Sequence, residues 1–213
     1  MLQIQYMLQN MKFPQNINCF VIPFSNRGQL LPCILTSKMV DIEMYDLYPN
    51  ANFILQRDVL INPPIYDNKY VISKPPIHEI PENSILFQIY HQNNTYKCFI
   101  DSIINTKCCG GVMIIPFIFW CSSASYDMEL RQRFLHRYHI PVMNIFNGIV
   151  CNFRNSMTCC FQFVKRRSLS AESPPSPLQA TRCHIYPGNN VFDYTFEKNN
   201  GYAYTNNNPN AKK

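Results

Sequence analysis

The stretch CFVIPFSNRG, Cys19 to Gly28, joins a short strand to an abrupt polar turn. Phe20, Val21 and Ile22 are aromatic or β-branched, and Pro23 followed by Ser25-Asn26-Arg27-Gly28 closes the run. Upstream, residues 1 to 18 are polar with scattered apolar positions and read as a short helix or a loose lead-in. Downstream, Gln29 to Lys38 suits a short helix with Pro32 in its first turn. Asp41 to Tyr48 alternates as a second strand, Phe53 to Leu55 is a third ending near Asp58, and Tyr70 to Ser73 is a fourth ending at Lys74-Pro75-Pro76.

The second half continues the alternation. Phe87 to Asn105 has apolar residues at helical spacing, Gly110-Gly111 breaks the chain, and Val112 to Trp120 reads as a buried strand. Ser125 to His139 is the clearest helix, with Ser125 as its cap, Asp127 and Glu129 in its first turn, and a stripe of Leu130, Phe134, Leu135 and Tyr138. Val142 to Phe146 and Thr158 to Val164 are two further strands. Strands alternating with helices predict an α/β domain over residues 1–167, with a mostly parallel sheet covered by helices on both faces. Ligands of such sheets bind beyond the carboxyl ends of the strands, here the turns after Phe24, Tyr48, Leu55 and Ser73. Residues 168–181 hold Ser, Ala and three prolines and read as a linker or mobile loop. Residues 182–204 suit a small β-rich appendage, and 205–213 a disordered tail.

Composition narrows the function. With 213 residues and 46% apolar content the chain can bury a sizeable core. Val112 to Cys121 is half the length of a membrane span and contains Pro116, so no membrane role is expected. The N-terminus lacks the pattern of a signal peptide, which predicts a cytoplasmic or host-intracellular protein that is not secreted. The ten cysteines form no CxxC pair, and the two CC doublets have poor spacing for a zinc site, so neither disulfides nor a metal are expected. His136 and His139 lie three apart on a helix and read as a surface feature. The net charge of +6 suits a polyanionic partner without demanding one.

The ordered set VIPFSNRGQLL, YDLYP, QRDVLINPP, VISKPPI, GGVMIIPFIFWCSSASYDMELRQRFL and NIFNGIVCNFRNSMTCCFQFVKR resembles the amino-methylating DNA methyltransferases of restriction–modification systems, especially viral and bacterial adenine enzymes, over residues 17 to 205. The resemblance implies a Rossmann-like methyltransferase fold and S-adenosylmethionine as methyl donor. It places Pro23, Phe24 and Gly28 in the turn against the donor's methionine, Asp46 against its ribose and Asp58 against its adenine. Two family features are missing from that turn: Ile22 stands where an acid is usual, and Asn26 where the first glycine is usual.

The family's catalytic loop is Asn or Asp, then Pro-Pro, then an aromatic. The Asn oxygen and the first Pro carbonyl accept the amino hydrogens of a flipped adenine, and the aromatic stacks on the base. Lys74-Pro75-Pro76-Ile77 follows a strand at the family's spacing and is the favoured equivalent. Lys74 then replaces the acceptor with an ammonium, which only donates, and Ile77 has no π face. Asn62-Pro63-Pro64-Ile65 is the alternative; it keeps the acceptor, and Tyr66 is adjacent.

The resemblance also implies DNA as partner, with Arg154, Lys165, Arg166 and Lys-adjacent Arg167 as candidates for phosphate contact, and a protein partner as a further possibility. Residues 182–204 would open a target-recognition region too short to be complete. The expectation is a methyltransferase fold whose activity has decayed, either a weak enzyme or a pseudoenzyme that binds nucleic acid or a partner.

Overall fold

The computed structural model describes residues 2–14, 16–34, 41–146, 157–166, 180–188 and 190–196. A nine-stranded sheet forms the centre, in the order β3-β2-β1-β4-β5-β7-β6-β8-β9. The strands are β1 (Cys19–Pro23), β2 (Asp41–Asp46), β3 (Leu55–Gln56), β4 (Tyr70–Ser73), β5 (Gly110–Pro116), β6 (Tyr138–Phe146), β7 (Thr158–Lys165), β8 (Thr181–Tyr186) and β9 (Asn190–Tyr194). The first five strands are parallel, β7 is antiparallel to both β5 and β6, β6 and β8 are parallel, and β9 is antiparallel to β8. Thr181–Tyr186 and Asn190–Tyr194 therefore extend the main sheet.

Alternation along each strand divides the core into two layers. Val21, Val71, Met113, Ile115, Phe161 and Phe163 face one side, with Phe99, Leu130 and Phe134 packed over them. Those three residues come from α3 (Thr95–Ile104) and α5 (Ser125–Arg137). Phe20, Ile22, Tyr70, Ile72, Val112 and Ile114 face the other side. This second face has little helix: α1 (Leu2–Met7) and a 3₁₀ turn at Leu31–Cys33 cover it together with extended chain. Two buried side-chain amides hold the N-terminal segment there. Asn144 Nδ2 donates to the carbonyls of Met7 and Gln9, and Gln162 both accepts from the Lys12 N–H at 3.3 Å and donates to its carbonyl at 2.6 Å.

Several expected elements shift, each for a local reason. The helix read over Phe87 to Asn105 is two, α2 (Ile85–Tyr90) and α3. His91 ends α2 in the left-handed region at φ 53°, and Asn94 starts α3. Gly110 and Gly111 do not break the chain but begin β5. A Cβ on Gly110 would lie 2.4 Å from the Phe163 carbonyl oxygen, and one on Gly111 2.2 Å from that of Val71, so both glycines allow close approach of the neighbouring strands. The strand read to Trp120 stops at Pro116, and Ile118–Cys121 is a separate turn of helix, α4, that buries Trp120 edge-to-face on Phe161. Ala124, not Ser125, is the N-cap of α5, without a side-chain cap bond. The helix read at Gln29 to Lys38 is only the Leu31–Cys33 turn, and residues 35–40 lie outside the described residues.

All ten residues of α3 are buried, so its charges need partners. Lys97 Nζ lies 2.7 Å from Asp127 Oδ1 of α5, and Arg133 lies 2.7 Å from Asp101. Arg131 of α5 donates to the carbonyls of Phe119 and Ser122. The two ion pairs fix α5 on α3, and Arg131 ties it to α4 and the residue that follows. No helix among the described residues is long and apolar enough to cross a membrane.

Two substitutions test this packing. Gly111→Ala should lower the stability by about 3 kcal/mol or more, because the new methyl meets rigid backbone. Asn144→Ala should cost about 2 kcal/mol by removing the amide that donates to the Met7 and Gln9 carbonyls. Urea unfolding followed by tryptophan fluorescence would read both, and no change in midpoint for either variant would contradict the arrangement.

Candidate functional site

Parallel strands carry their carboxyl ends to one rim. The tips of β1, β2, β3 and β4 therefore place Phe24, Asp46, Asp58 and Lys74 on the same rim of the sheet. The chain order reverses between β1, which is followed by β2 on one side, and β4, which is followed by β5 on the other. Such a switch point leaves a crevice open, since the connections on either side run away from it.

The turn after β1 stands at this switch point, and it has an unusual backbone. Phe24, Asn26 and Gly28 all have positive φ, at 58°, 48° and 71°. Asn and Gly reach this region at low cost, whereas Phe does not. Neighbours hold the turn in place. The Ser25 N–H donates to the Tyr45 carbonyl at 3.0 Å, and the Asn26 N–H to Asp46 Oδ2 at 2.8 Å. Asp46 Oδ1 accepts the Tyr48 N–H at 2.9 Å, and Asn50 Nδ2 donates to Asn26 Oδ1 at 2.9 Å. The Phe24 ring stands edge-on to Phe99 of α3, with centroids 5.2 Å apart. Asp46 thus clamps the turn after β1 through the Asn26 amide and its own connection to β3 through the Tyr48 amide, and each carboxylate oxygen keeps a lone pair for a further donor.

Gly28 packs against the edge of the Phe53 ring, which lies 3.1 Å from where a Cβ would be. Phe53 and Tyr48 are exposed beside Asp46, and the sequence reading did not single out either. Both were read as strand residues, but β2 ends at Asp46 and β3 begins at Leu55, which leaves Tyr48 and Phe53 in the connection between them. Asp58 is half-buried and its Oδ1 accepts from the N–H groups of Leu60 and Ile61, so it caps the turn after β3. Ile22, at the position where an acid is usual, is fully buried and offers no acceptor.

The two Pro-Pro stretches separate cleanly. Lys74-Pro75-Pro76-Ile77 directly follows β4 at the switch point. Lys74 is half-buried, Pro75 is buried, and Ile77 packs on the core cluster that contains Phe99. Thr95 holds the loop's far end, with its N–H and its hydroxyl both 3.0 Å from the His78 carbonyl. Asn62, Pro63 and Pro64 lie on the connection from β3 to β4. There Asn62 is exposed, and Tyr66 is buried with its ring 6.4 Å from Phe99, so that aromatic belongs to the core.

The basic candidates lie elsewhere. Lys165 pairs with Tyr138 at the opposite rim, because β7 runs against β5. Across the seven residues of β5 that is about 20 Å from the switch point. Arg166 is half-buried and its Nε donates to the carbonyls of Leu135 and Tyr138 at 2.9 and 3.3 Å. Arg154 and Arg167 lie outside the described residues. Among the described residues no group of three His, Cys, Asp or Glu is placed to hold a metal.

A second polar cluster lies on the α3 face of β1 and β2. Glu43 pairs with Lys69, accepts from the Tyr45 hydroxyl at 3.0 Å, and lies 3.7 Å from the Cys19 thiol. Burial pushes the Glu43 carboxyl up, but hydrogen bonds from Lys69 and Tyr45 outweigh it and hold it below the usual value of 4.5.

No family model matches the sequence, and no curated protein matches it. Solved structures do match in fold. A protein of a type I restriction–modification system aligns at TM-score 0.62 with 13% identity, over 94% of this chain and 47% of that one. A modification subunit of a type I restriction enzyme from Vibrio vulnificus aligns at 0.59 and 11%, over 85% and 45%. A protein classed among the class I S-adenosylmethionine-dependent methyltransferases, from Listeria monocytogenes, aligns at 0.53 and 14%, over 86% and 62%. The chain has the class I methyltransferase fold, and it spans less than two thirds of each of these relatives.

Two measurements follow from this geometry. Asp46→Ala frees the Asn26 and Tyr48 amides together, so it should lower the melting temperature and increase hydrogen exchange at residues 24–28; unchanged exchange there would remove the clamp. The stability carried by Glu43 is present above its unfolded value of about 4.5 and is lost as pH falls through the lower folded value. Lys69→Met should therefore move the acid-unfolding midpoint to higher pH, and an unmoved midpoint would show that the pair is not linked to folding.

Proposed function

We propose that the chain is the S-adenosylmethionine-binding domain of an adenine-directed DNA methyltransferase that has lost its amino-methylating chemistry. The observation that carries this reading is the shared rim, with Phe24, Asp46, Asp58 and Lys74 at the tips of four adjacent parallel strands and a lysine where transfer to an amino group needs an acceptor.

The residues present fit the nucleoside part of the donor. Asp46 retains acceptor capacity toward ribose hydroxyls, Asp58 lies one strand further out, and Phe53 and Tyr48 offer exposed rings to a purine. Gly28 lets the Phe53 ring approach the turn closely, at 3.1 Å from where a Cβ would be. They fit the amino-acid part less well, since buried Ile22 gives an ammonium no acceptor. When bound, the donor supplies an activated methyl group.

The second half of the site is where the chemistry fails. An adenine amino group becomes nucleophilic only if its hydrogens are held by acceptors that turn its lone pair toward the methyl. Lys74 is an ammonium with donors only, and Ile77 is drawn into the core. Loss of one such positioned group costs roughly 10²-fold, and here two elements differ together. The nearby acids Glu79 and Glu82 and the far-rim position of Lys165 add little attraction for duplex DNA at this rim. A binding role therefore fits the site better than turnover.

S-adenosylmethionine should raise the melting temperature of the protein, and Asp46→Ala or Phe53→Ala should abolish the rise. The native chain should transfer no tritiated methyl to adenine in DNA. Lys74→Asn combined with Ile77→Tyr should bring transfer above background. A native chain that methylates DNA efficiently would overturn the loss of chemistry, and no thermal response to the donor at millimolar concentration would overturn the binding site.

A further inference from the structure

We propose that α2 and the adjoining Asp58–Asp67 loop form a docking surface for a protein segment that carries aliphatic residues flanked by Lys or Arg. This surface stands independently of the methyl-donor reading.

Helix α2 is apolar on both sides. Leu86, Phe87 and Tyr90 pack partly on the core, yet none of the helix's residues is buried. Ile85 and Ile89, one turn apart, point outward at 54% and 47% exposure. Gln88, also exposed, is the one polar residue of the six, and a helix this apolar is normally covered on more than one side. The helix is nonetheless well defined: Ser84 Oγ accepts the Phe87 N–H at 3.2 Å, and His91 ends it. The Tyr90 hydroxyl donates to the Leu60 carbonyl at 2.7 Å, which joins α2 to the loop that exposes Ile61 and Ile65, at 52% and 73%. Four isoleucines so placed leave an apolar surface that solvation alone does not explain.

Charge identifies the occupant. The chain has 19 Lys and Arg residues, yet residues 58–67 and 75–94 contain none. They contain four acids: Asp58, Asp67, Glu79 and Glu82. An aliphatic centre within an acidic margin, on a chain of net charge +6, complements a basic amphipathic segment and repels nucleic acid. The surface also adjoins the loop after β4. The Ile80 N–H donates to the Asn93 carbonyl, and Glu79 bridges to Asn94, so the connection that carries Lys74 to Ile77 continues into this surface. An occupant there would lie at the edge of the switch-point crevice.

The test uses a fluorescein-labelled helical peptide of alternating leucine and lysine pairs, with leucine–glutamate and glycine–lysine peptides as controls, measured by anisotropy on the full chain without methyl donor. The leucine–lysine peptide should bind, and binding should weaken at least tenfold with Ile85→Ser plus Ile89→Ser and severalfold with Glu79→Lys plus Glu82→Lys. Added salt should weaken it, and Asp46→Ala should leave it unchanged. Equal binding of the leucine–glutamate peptide, or equal binding by the isoleucine variant at an unchanged melting temperature, would overturn the surface. Sedimentation that shows a dimer broken by Ile85→Ser plus Ile89→Ser would assign the patch to a second copy instead. A duplex oligonucleotide that binds the native chain and not that variant would assign it to nucleic acid, and either result overturns the proposal.

Discussion

Strands β1, β4 and β5 turn almost no residue to water, so the sheet is stable only while both of its faces are covered. This requirement orders the rest of the molecule. On one face α3 and α5 satisfy it in the ordinary way, with α3 buried along its whole length and its Lys97 and Asp101 neutralised by partners on α5. On the other face helices are scarce. There the N-terminal segment does the covering, tied down by amide side chains that grip its backbone from β6 and β7. Asn144 and Gln162 act as replacements for hydrogen bonds that a helix would have made internally.

The covered sheet then makes the functional rim. With both faces closed, openings remain only at the strand ends, and the parallel run from β3 to β5 sends the same kind of loop to one rim. The reversal between β1 and β4 separates two of these loops. Asp46 occupies a double position in this arrangement. It is oriented toward the crevice by its place at the end of β2, and it also supplies the acceptors that keep Asn26 and Tyr48 in place. A ligand at this carboxylate would meet a turn that is already formed, which reduces the ordering cost of binding. At the end of β4 the loop is held by packing, with Lys74 half-buried and Ile77 packed against the core cluster that contains Phe99.

Charge is also segregated. The bases of α5 and of the end of β7 are largely taken up by carbonyls and carboxylates of the fold, as Arg131, Arg133 and Arg166 show. Arg137 follows the same pattern on the Thr106 carbonyl. A positive formal charge therefore overstates the free positive surface. The acids around α2 meet backbone amides where they have partners, as Asp58 does at Leu60 and Ile61 and Asp67 at Lys107, and no Lys or Arg lies in their own segments, which gives the two sides of the molecule different preferences for what approaches them.

The sequence by itself determined the α/β class and the positions of most strands, because hydrophobic period and turn chemistry are local properties. The placing of Phe24, Asp46, Asp58 and Lys74 after four strands was legible for that reason, and the parallel pairing sets all four on one rim. Only the tertiary structure decided what depended on neighbours distant in the chain. The pair Gly110-Gly111 looks like a break until β4 and β7 are placed beside it at distances that exclude a Cβ. Tyr66 looks available for stacking until Phe99 encloses it, and Arg166 looks free until two carbonyls of the α5–β6 junction accept its Nε. The run at Lys165 falls on the far rim because β7 reverses direction, a property of strand pairing that no local pattern encodes.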